Sequence, residues 1–168
     1  ASVVAVDVGY GQLAWKLQSD PRVEVHDRTN VRTLDPASVA PAPGLVVGDM
    51  SFISLTLVLP ALVGAAAPDA DFLLMVKPQF EIGKERLGHG GVVRNPEHHV
   101  ETVDNVARCA MGLGLDIAAI AASPLPGPSG NVEYFLFMRR AYPDPIKADE
   151  LTDYIRRAVA EGPAGRQS

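Results

Sequence analysis

Residues 71–78 read Asp-Phe-Leu-Leu-Met-Val-Lys-Pro, a continuous apolar run that ends directly at a lysine and a proline. A run of this kind predicts a strand that is covered on both faces, as in a parallel sheet flanked by helices. Shorter runs at 3–6, 23–26 and 45–47 predict three more strands, and helix-like segments alternate with them. We therefore expect an α/β protein with a mostly parallel sheet.

The carboxyl-terminal part of the chain predicts a change of strand direction. Two further strand segments, 115–122 and 132–138, are joined by a turn-rich stretch that is too short for a crossover helix. The last two strands should therefore pair antiparallel. The predicted helices span 12–18, 53–67, about 96–111 and 149–160. We expect one domain over residues 1–160 and a disordered tail over 161–168.

Composition places the chain among ordinary globular proteins. Its 168 residues carry a formal net charge of −5, with 47% hydrophobic and 21% charged residues, and this balance excludes a disordered chain. A single cysteine, Cys109, excludes an internal disulfide framework. The longest apolar stretch, 55–67, is interrupted by Pro60 and is shorter than the roughly 20 residues that a membrane-spanning helix needs. We expect a cytoplasmic protein without stable membrane insertion.

Charged residues follow three of the predicted parallel strands, namely Asp7, Asp49 and Lys77. Ligands of an open α/β sheet bind outside the carboxyl ends of its strands, so these charges should share one rim. The last strand runs the opposite way, so its beginning lies at the same rim, and its first charged residue is Glu133. A lysine flanked by two carboxylates is a way to hold an amine whose proton affinity is set by its surroundings. The alternative is that each charge only marks where a strand meets solvent.

A second motif competes for the first strand. The segment Gly9-Tyr-Gly-Gln-Leu-Ala14 matches the G-x-G-x-x-A pattern, and Asp27 closes the next strand near the expected ribose-binding acid. This pattern supports an NAD(P)-dependent oxidoreductase as an alternative function. Two other interpretations stay open: the glycines form only a tight turn, or Asp7 is itself the ribose-binding acid and the glycine loop precedes Ala1.

Four segments together resemble the TlyA family of FtsJ-like ribosomal RNA ribose methyltransferases, whose members have also been named hemolysins. They read Val-Asp7-Val-Gly-Tyr-Gly-Gln-Leu-Ala-Trp15, Gly48-Asp-Met-Ser-Phe-Ile-Ser-Leu55, Val-Lys77-Pro-Gln-Phe-Glu81 and Val-Glu133-Tyr-Phe-Leu-Phe137. The resemblance implies a Rossmann-like methyltransferase fold that binds S-adenosylmethionine (SAM) and has an antiparallel last strand. It also implies a Lys-Asp-Lys-Glu active site, whose last three positions are Asp49, Lys77 and Glu133.

The same resemblance implies roles for further residues. Asp7 would bind the SAM ribose, Asn30 would lie by the adenine, and the cofactor pocket would be lined by Asp49, Met50 and Phe52. The implied substrate is a ribose 2′-hydroxyl of ribosomal RNA, at a cytidine, with Lys77 as the base and no metal. The first lysine, the glycine-rich SAM loop and a small RNA-binding domain have no counterpart here and are expected before Ala1.

Five cations follow predicted strand ends and are candidates for RNA binding: Arg28, Arg32, Lys84, Arg86 and Arg94. Such residues contact phosphate and supply affinity rather than sequence choice. Ordinary surface charge is the alternative for each, because RNA-binding domains are usually basic and this chain is acidic. The hemolysin name adds a membrane-active protein as a further alternative, although no basic amphipathic segment favours it.

Overall fold

A computed structural model of the chain describes residues 1–127 and 129–165, in which the strands form two sheets. In the first sheet, β1 (Val3–Val6) pairs in parallel with β2 (Val23–His26). The second sheet has the order β3-β4-β6-β5. Its strands are β3 (Leu45–Gly48), β4 (Asp71–Val76), β5 (Asp116–Ala122) and β6 (Tyr134–Arg139).

Strand directions confirm the predicted α/β class with an antiparallel last strand. β3 and β4 are parallel, whereas β6 is antiparallel to both of its neighbours. Because β6 lies between β4 and β5, β5 runs in the same direction as β3 and β4. The larger sheet is consequently mixed in its pairings, although only β6 is reversed.

Five α-helices accompany the strands in the described part of the chain: α1 (Trp15–Gln18), α2 (Leu55–Ala65), α3 (Pro78–Glu81), α4 (Pro96–Gly112) and α5 (Leu151–Glu161). The start of α4 is as predicted, since the Asn95 side chain accepts a hydrogen bond from the Glu97 N–H. α2 continues through Pro60, which cannot donate to the Thr56 carbonyl. That carbonyl accepts instead from the Cys109 thiol at 3.9 Å.

The hydrophobic core lies between one face of the larger sheet and the helices α2, α4 and α5. β4 buries Phe72, Leu74 and Val76 on this face, and β6 buries Leu136 and Met138 beside them. The alternate side chains of β4 are less buried within the described residues, and Leu73 is exposed. The expectation that both faces of β4 are covered is therefore wrong for this part of the chain, where the helices that bury the core pack on one face.

The smaller sheet joins the rest of the fold through the loop that follows β2. Val31 in this loop packs against the core, and the adjoining turns contact α2. Within the described residues β1 pairs only with β2, and β3 only with β4. Leu45 and Val47 of β3 are exposed on the same face of the sheet as Leu73, because Val47 pairs with Leu73.

The carboxyl-terminal residues are packed as far as the structure describes them. Glu161 is the last residue of α5, and Gly162 and Ala164 beyond it are buried. The first part of the segment expected to be a disordered tail is therefore folded, and residues 166–168 of that segment lie outside the described residues.

Candidate active site

Lys77 is the centre of a polar cluster at the rim of the larger sheet. Its Nζ lies 2.6 Å from Asp49 Oδ1, 3.1 Å from Ser51 Oγ and 3.9 Å from Glu133 Oε1. The Lys77 side chain is only 11% exposed. The structure thus brings together three of the four residues that the sequence placed at one rim. The fourth, Asp7, follows β1 of the smaller sheet and has no contact with Lys77 among those described.

Strand register explains why these side chains meet. Val76, the last residue of β4, pairs with Tyr134, the first residue of β6. Lys77 therefore emerges from β4 beside Glu133, which directly precedes Tyr134. Asp49 follows β3, the parallel neighbour of β4, and reaches Lys77 from the other side. A parallel strand in the position of β6 would have placed Glu133 at the opposite end of the sheet.

The two carboxylates differ in their exposure to solvent. The Asp49 side chain is 68% exposed, whereas that of Glu133 is 8% exposed. Glu133 Oε1 also accepts a hydrogen bond from Gln79 Nε2 at 3.1 Å. A Cβ on Gly127, in the connection between β5 and β6, would lie 2.9 Å from the same oxygen, so only glycine leaves room here for the carboxylate. A carboxylate that is buried to this extent needs polar or charged partners, and Gln79 and Lys77 are the partners of Glu133.

Sequence-based prediction missed Ser51 and Gln79. Each lies two residues after a predicted site residue, Ser51 after Asp49 and Gln79 after Lys77, and each lies within a motif quoted above. Both motifs turn back over the rim after their strand, so a polar side chain two positions along returns to the cluster. That spacing was the available signal.

A cavity of about 1040 Å³ opens beside Lys77 and Glu133. Phe52 forms part of its wall, with its ring 4.9 Å from that of Phe80, and is 90% exposed. Its backbone has φ 62°, a left-handed conformation that is uncommon for a residue with a side chain. A concave site with an aromatic wall and a few converging polar groups is typical of small-molecule and nucleotide binding.

The segment 83–94 forms another wall of the cavity and is anchored by Asn131. The Asn131 side chain donates to the Gly91 carbonyl and accepts from the Val93 N–H, both at 2.9 Å. His99 Nε2 lies 2.9 Å from the Val93 carbonyl, and burial lowers the pKa of His99. The neutral ring therefore donates its Nε2–H to that carbonyl.

The predicted RNA-binding cations occupy different positions. Arg32 and Lys84 line the cavity. Arg28 does not; its guanidinium lies over the Tyr10 ring, 4.6 Å from the centroid, beside the smaller sheet. Of these three cations, Arg32 and Lys84 are placed to contact a ligand in the cavity.

Arg86 and Arg94 have partners within the protein. Arg86 forms a two-point ion pair with Glu101, at 2.6 and 2.7 Å. Arg94 donates to the His89 carbonyl at 3.3 Å. These contacts fold the segment 83–94 back on itself and onto α4, and neither arginine lines the cavity.

The glycine motif after β1 differs from a dinucleotide-binding loop. Such a loop leads directly into a helix whose N-terminus faces the pyrophosphate, but α1 begins only at Trp15 and has four residues. The Gly9 N–H donates to Asp7 Oδ1 at 2.6 Å, and the Gly11 N–H donates to Asp27 Oδ2 at 3.0 Å. Both acids brace this turn, and Asp7 stays exposed at the end of β1.

Two other predicted cofactor residues lie outside the cavity wall. Asn30 Oδ1 accepts from the Arg32 N–H at 3.0 Å and so caps the turn after β2. Met50 is half-buried and packs against the core. The structure thus places Phe52 beside Lys77 in the cavity wall, whereas Asp7 and Asp49, like Asn30 and Met50, do not line the cavity.

The strand order and the reversed β6 define a class of fold. A SAM-dependent methyltransferase from Methanosarcina mazei has the same fold, with a TM-score of 0.56 and 14% identity over 83% of this chain and 82% of that chain. The fold is therefore that of the SAM-dependent methyltransferases.

Sequence comparison shows the family. The FtsJ-like methyltransferase family model matches residues 1–140, and the chain belongs to that family. The chain is 55% identical over 163 residues to the 16S/23S rRNA (cytidine-2′-O)-methyltransferase TlyA of Mycobacterium tuberculosis, a match that covers 97% of this chain and 61% of the relative. The resemblance noted in the sequence is thereby confirmed, and the chain spans about three fifths of the length of these relatives.

The hemolysin name also occurs among the similar proteins. A solved structure from Streptococcus thermophilus with that name has a TM-score of 0.85 and 31% identity, over 99% of this chain and 61% of that one. Hemolysin A of Brachyspira hyodysenteriae is 29% identical over 133 residues, 79% of this chain and 55% of the relative. Among the described residues, no helix has the length and apolar character to cross a bilayer.

Proposed function

We propose that this protein transfers a methyl group from SAM to the 2′-hydroxyl of a cytidine in ribosomal RNA, with Lys77 as the base. The observation that carries the proposal is the Lys77 cluster: a nearly buried amine between Asp49 and Glu133, at the edge of a cavity with an aromatic wall. The family and the name of the Mycobacterium tuberculosis relative support the substrate.

The residues at the rim fit the proposed cofactor. Ribose hydroxyls need acceptors, and the exposed Asp7 carboxylate supplies one, with its orientation fixed by the Gly9 N–H. When bound, SAM would supply a methyl group on a positively charged sulfur, and transfer of that methyl group would convert the sulfur to a neutral thioether. Asp7 follows β1 and Asp49 follows β3. Their carboxylates are acceptors suited to the hydroxyls and the amino group of SAM.

The protein residues then act on the substrate hydroxyl. A ribose hydroxyl is a weak nucleophile at neutral pH, so a base must take its proton as the oxygen attacks the methyl carbon. Neutral Lys77 accepts that proton at Nζ and becomes an ammonium. Asp49 and Glu133 stabilise the ammonium, and Ser51 helps to fix the direction of the amine. Most of the acceleration comes from alignment of oxygen, methyl carbon and sulfur.

The cavity supplies the RNA side of the site. Bases that leave a helix stack on aromatic rings, and the exposed Phe52 ring is available for such stacking. Arg32 and Lys84 on the cavity wall are placed to contact phosphate. The RNA-binding domain, the glycine-rich SAM loop and the first lysine implied by the resemblance belong to this proposal as parts outside residues 1–168.

The test compares two lysine variants of the full-length gene product. Lys77→Ala should abolish methyl transfer from radiolabelled SAM to ribosomal subunits, while the Kd for SAM stays within a few-fold of the parent value. Lys147→Ala, which removes an exposed lysine before α5, should leave transfer unchanged. Full activity of Lys77→Ala would refute the proposal, and saturable NAD binding without SAM binding would favour an oxidoreductase.

A further inference from the structure

Two chain segments at the rim carry residues of the proposed reaction. The active-site loop comprises residues 49–54 and begins at Asp49. The lysine segment comprises residues 77–81 and begins at Lys77. The ion pair of 2.6 Å joins their first residues. At the other end, Glu81 makes contacts with the active-site loop that the proposed reaction does not use.

The Glu81 carboxylate holds the end of the active-site loop by two hydrogen bonds. Its Oε2 accepts from the Ser54 hydroxyl at 2.5 Å, and its Oε1 accepts from the Leu55 N–H at 2.8 Å. Leu55 is the first residue of α2, where backbone N–H groups lack partners within the helix. Burial raises the pKa of Glu81, and the two hydrogen bonds oppose that rise.

These hydrogen bonds are not needed merely to begin α2. The Ser54 side chain already caps the helix, because its Oγ accepts from the Thr56 N–H at 3.2 Å. Glu81 approaches from a segment 26 residues away in sequence and adds a second attachment. Its contacts therefore connect two segments rather than complete one helix.

The active-site loop needs such an attachment because its backbone is strained. Phe52 has φ 62°, and a residue with a side chain keeps this conformation only where the surrounding structure holds it there. Asp49 fixes the loop before Phe52 and Glu81 fixes it after Phe52. The Phe52–Phe80 ring contact lies between these two attachments.

We propose that Glu81 is a positioning residue for methyl transfer. By tying Ser54 and Leu55 to the lysine segment, Glu81 holds the active-site loop where Asp49 and Ser51 meet Lys77. This inference rests on the proposed function. It assigns to Glu81 no contact with the substrate or with SAM.

The test uses kcat and the KM for SAM in the full-length gene product. Glu81→Ala removes both contacts and should lower kcat about 10- to 100-fold, the scale of a small misplacement of reacting groups, with the KM for SAM changed less than about threefold. Glu81→Gln should restore most of kcat, because its Oε1 can accept from Leu55 and its Nε2 can donate to Ser54. Glu97→Ala, which removes an exposed carboxylate paired with Arg156, should leave kcat unchanged.

Further measurements separate positioning from stability and from the proposed function. The kcat is measured below the unfolding temperature of each variant and is expressed per SAM-binding site, so that only folded protein is counted. If Glu81 has a purely structural role, kcat expressed in this way will not change in Glu81→Ala, and that result would overturn the inference. Failure of Glu81→Gln to restore kcat would also overturn it. Should Glu81→Ala not fold, Glu81→Asp withdraws the carboxylate by one methylene, leaves the Ser54 cap of α2 in place and should lower kcat several-fold; an unchanged kcat would refute the inference. Activity of Lys77→Ala would instead refute the proposed function.

Discussion

Asn131→Ala should destabilise the protein by detaching the segment 83–94 from the start of β6. The Asn131 side chain is 3% exposed and makes two hydrogen bonds of 2.9 Å, to the Val93 N–H and the Gly91 carbonyl. Val93 is buried, so its N–H would lose its partner without gaining water, at about 1–3 kcal/mol. Loss of the second bond adds about 1 kcal/mol, and the expected decrease in the free energy of unfolding is about 2–4 kcal/mol.

A matched asparagine supplies the control. Asn95 is exposed and its side chain accepts one hydrogen bond, from the Glu97 N–H, at the start of α4. Replacing such a cap with alanine costs about 1 kcal/mol. Urea unfolding of both variants should therefore show a loss at least about 1 kcal/mol larger for Asn131→Ala, since that variant leaves a buried donor unpaired.

Limited digestion with trypsin tests whether the loss of stability in Asn131→Ala arises in the segment 83–94. The anchored segment contains the cleavable residues Lys84, Arg86 and Arg94. Cleavage there should be faster in Asn131→Ala than in Asn95→Ala under native conditions, because the anchor and not the helix cap holds this wall of the cavity. Equal losses of stability in the two variants, together with equal cleavage rates, would refute the assignment of Asn131 as the anchor.

Three further variants test single contacts. Tyr134→Phe removes a buried hydroxyl that has no hydrogen-bond partner in the described structure, so thermal unfolding should show no loss of stability; a loss above about 1 kcal/mol would reveal a hidden partner. Burial lowers the pKa of His99, so the unfolded state binds more protons, and the free energy of unfolding should fall as pH decreases below about 6.5. His99→Gln, which can still donate to the Val93 carbonyl, should weaken that pH dependence in urea titrations at pH 5 and 7, and an unaltered dependence would contradict the assignment. Phe52→Ala should raise the KM for RNA about tenfold, as expected for one lost stacking contact, without changing the Kd for SAM; a weakened SAM affinity would instead place Phe52 in the cofactor pocket.

The rim cluster was predictable because strand ends are readable in the sequence. Apolar runs end at Asp49 and Lys77, and the short connection before β6 requires that strand to be reversed. The carboxyl ends of parallel strands share one edge, and a reversed strand begins at that edge, which places Glu133 with Asp49 and Lys77. The prediction needed only the ends of the apolar runs and the relative directions of the strands. It did not need the order of the strands in the sheet.

Strand order and the supporting contacts were not predictable in this way. The insertion of β6 between β4 and β5 depends on which strands gain most from burial together, and a turn sequence does not encode it. Asn131 is a polar residue near a turn, and such residues are usually solvated. The spacing of Gln79 after Lys77 indicates a return to the rim, but it does not identify Glu133 as the partner. The roles of both residues arise from long-range contacts to Glu133 and to the segment 83–94, which appear only once the fold brings these parts together.

The unequal exposure of the two carboxylates bears on why this cluster exists at all. Burying Glu133 costs solvation free energy, which an apolar side chain would avoid, so stability alone does not account for a glutamate at this position. Asp49 is largely exposed and already forms the shorter ion pair with Lys77, so Glu133 is not needed to neutralise the amine. The Glu133 carboxylate is shielded from solvent 3.9 Å from the amine, whereas Asp49 is closer but largely exposed, so solvent screens the Asp49 charge more. In the proposed reaction, such a shielded carboxylate would stabilise the ammonium that forms when Lys77 accepts the proton of the ribose hydroxyl.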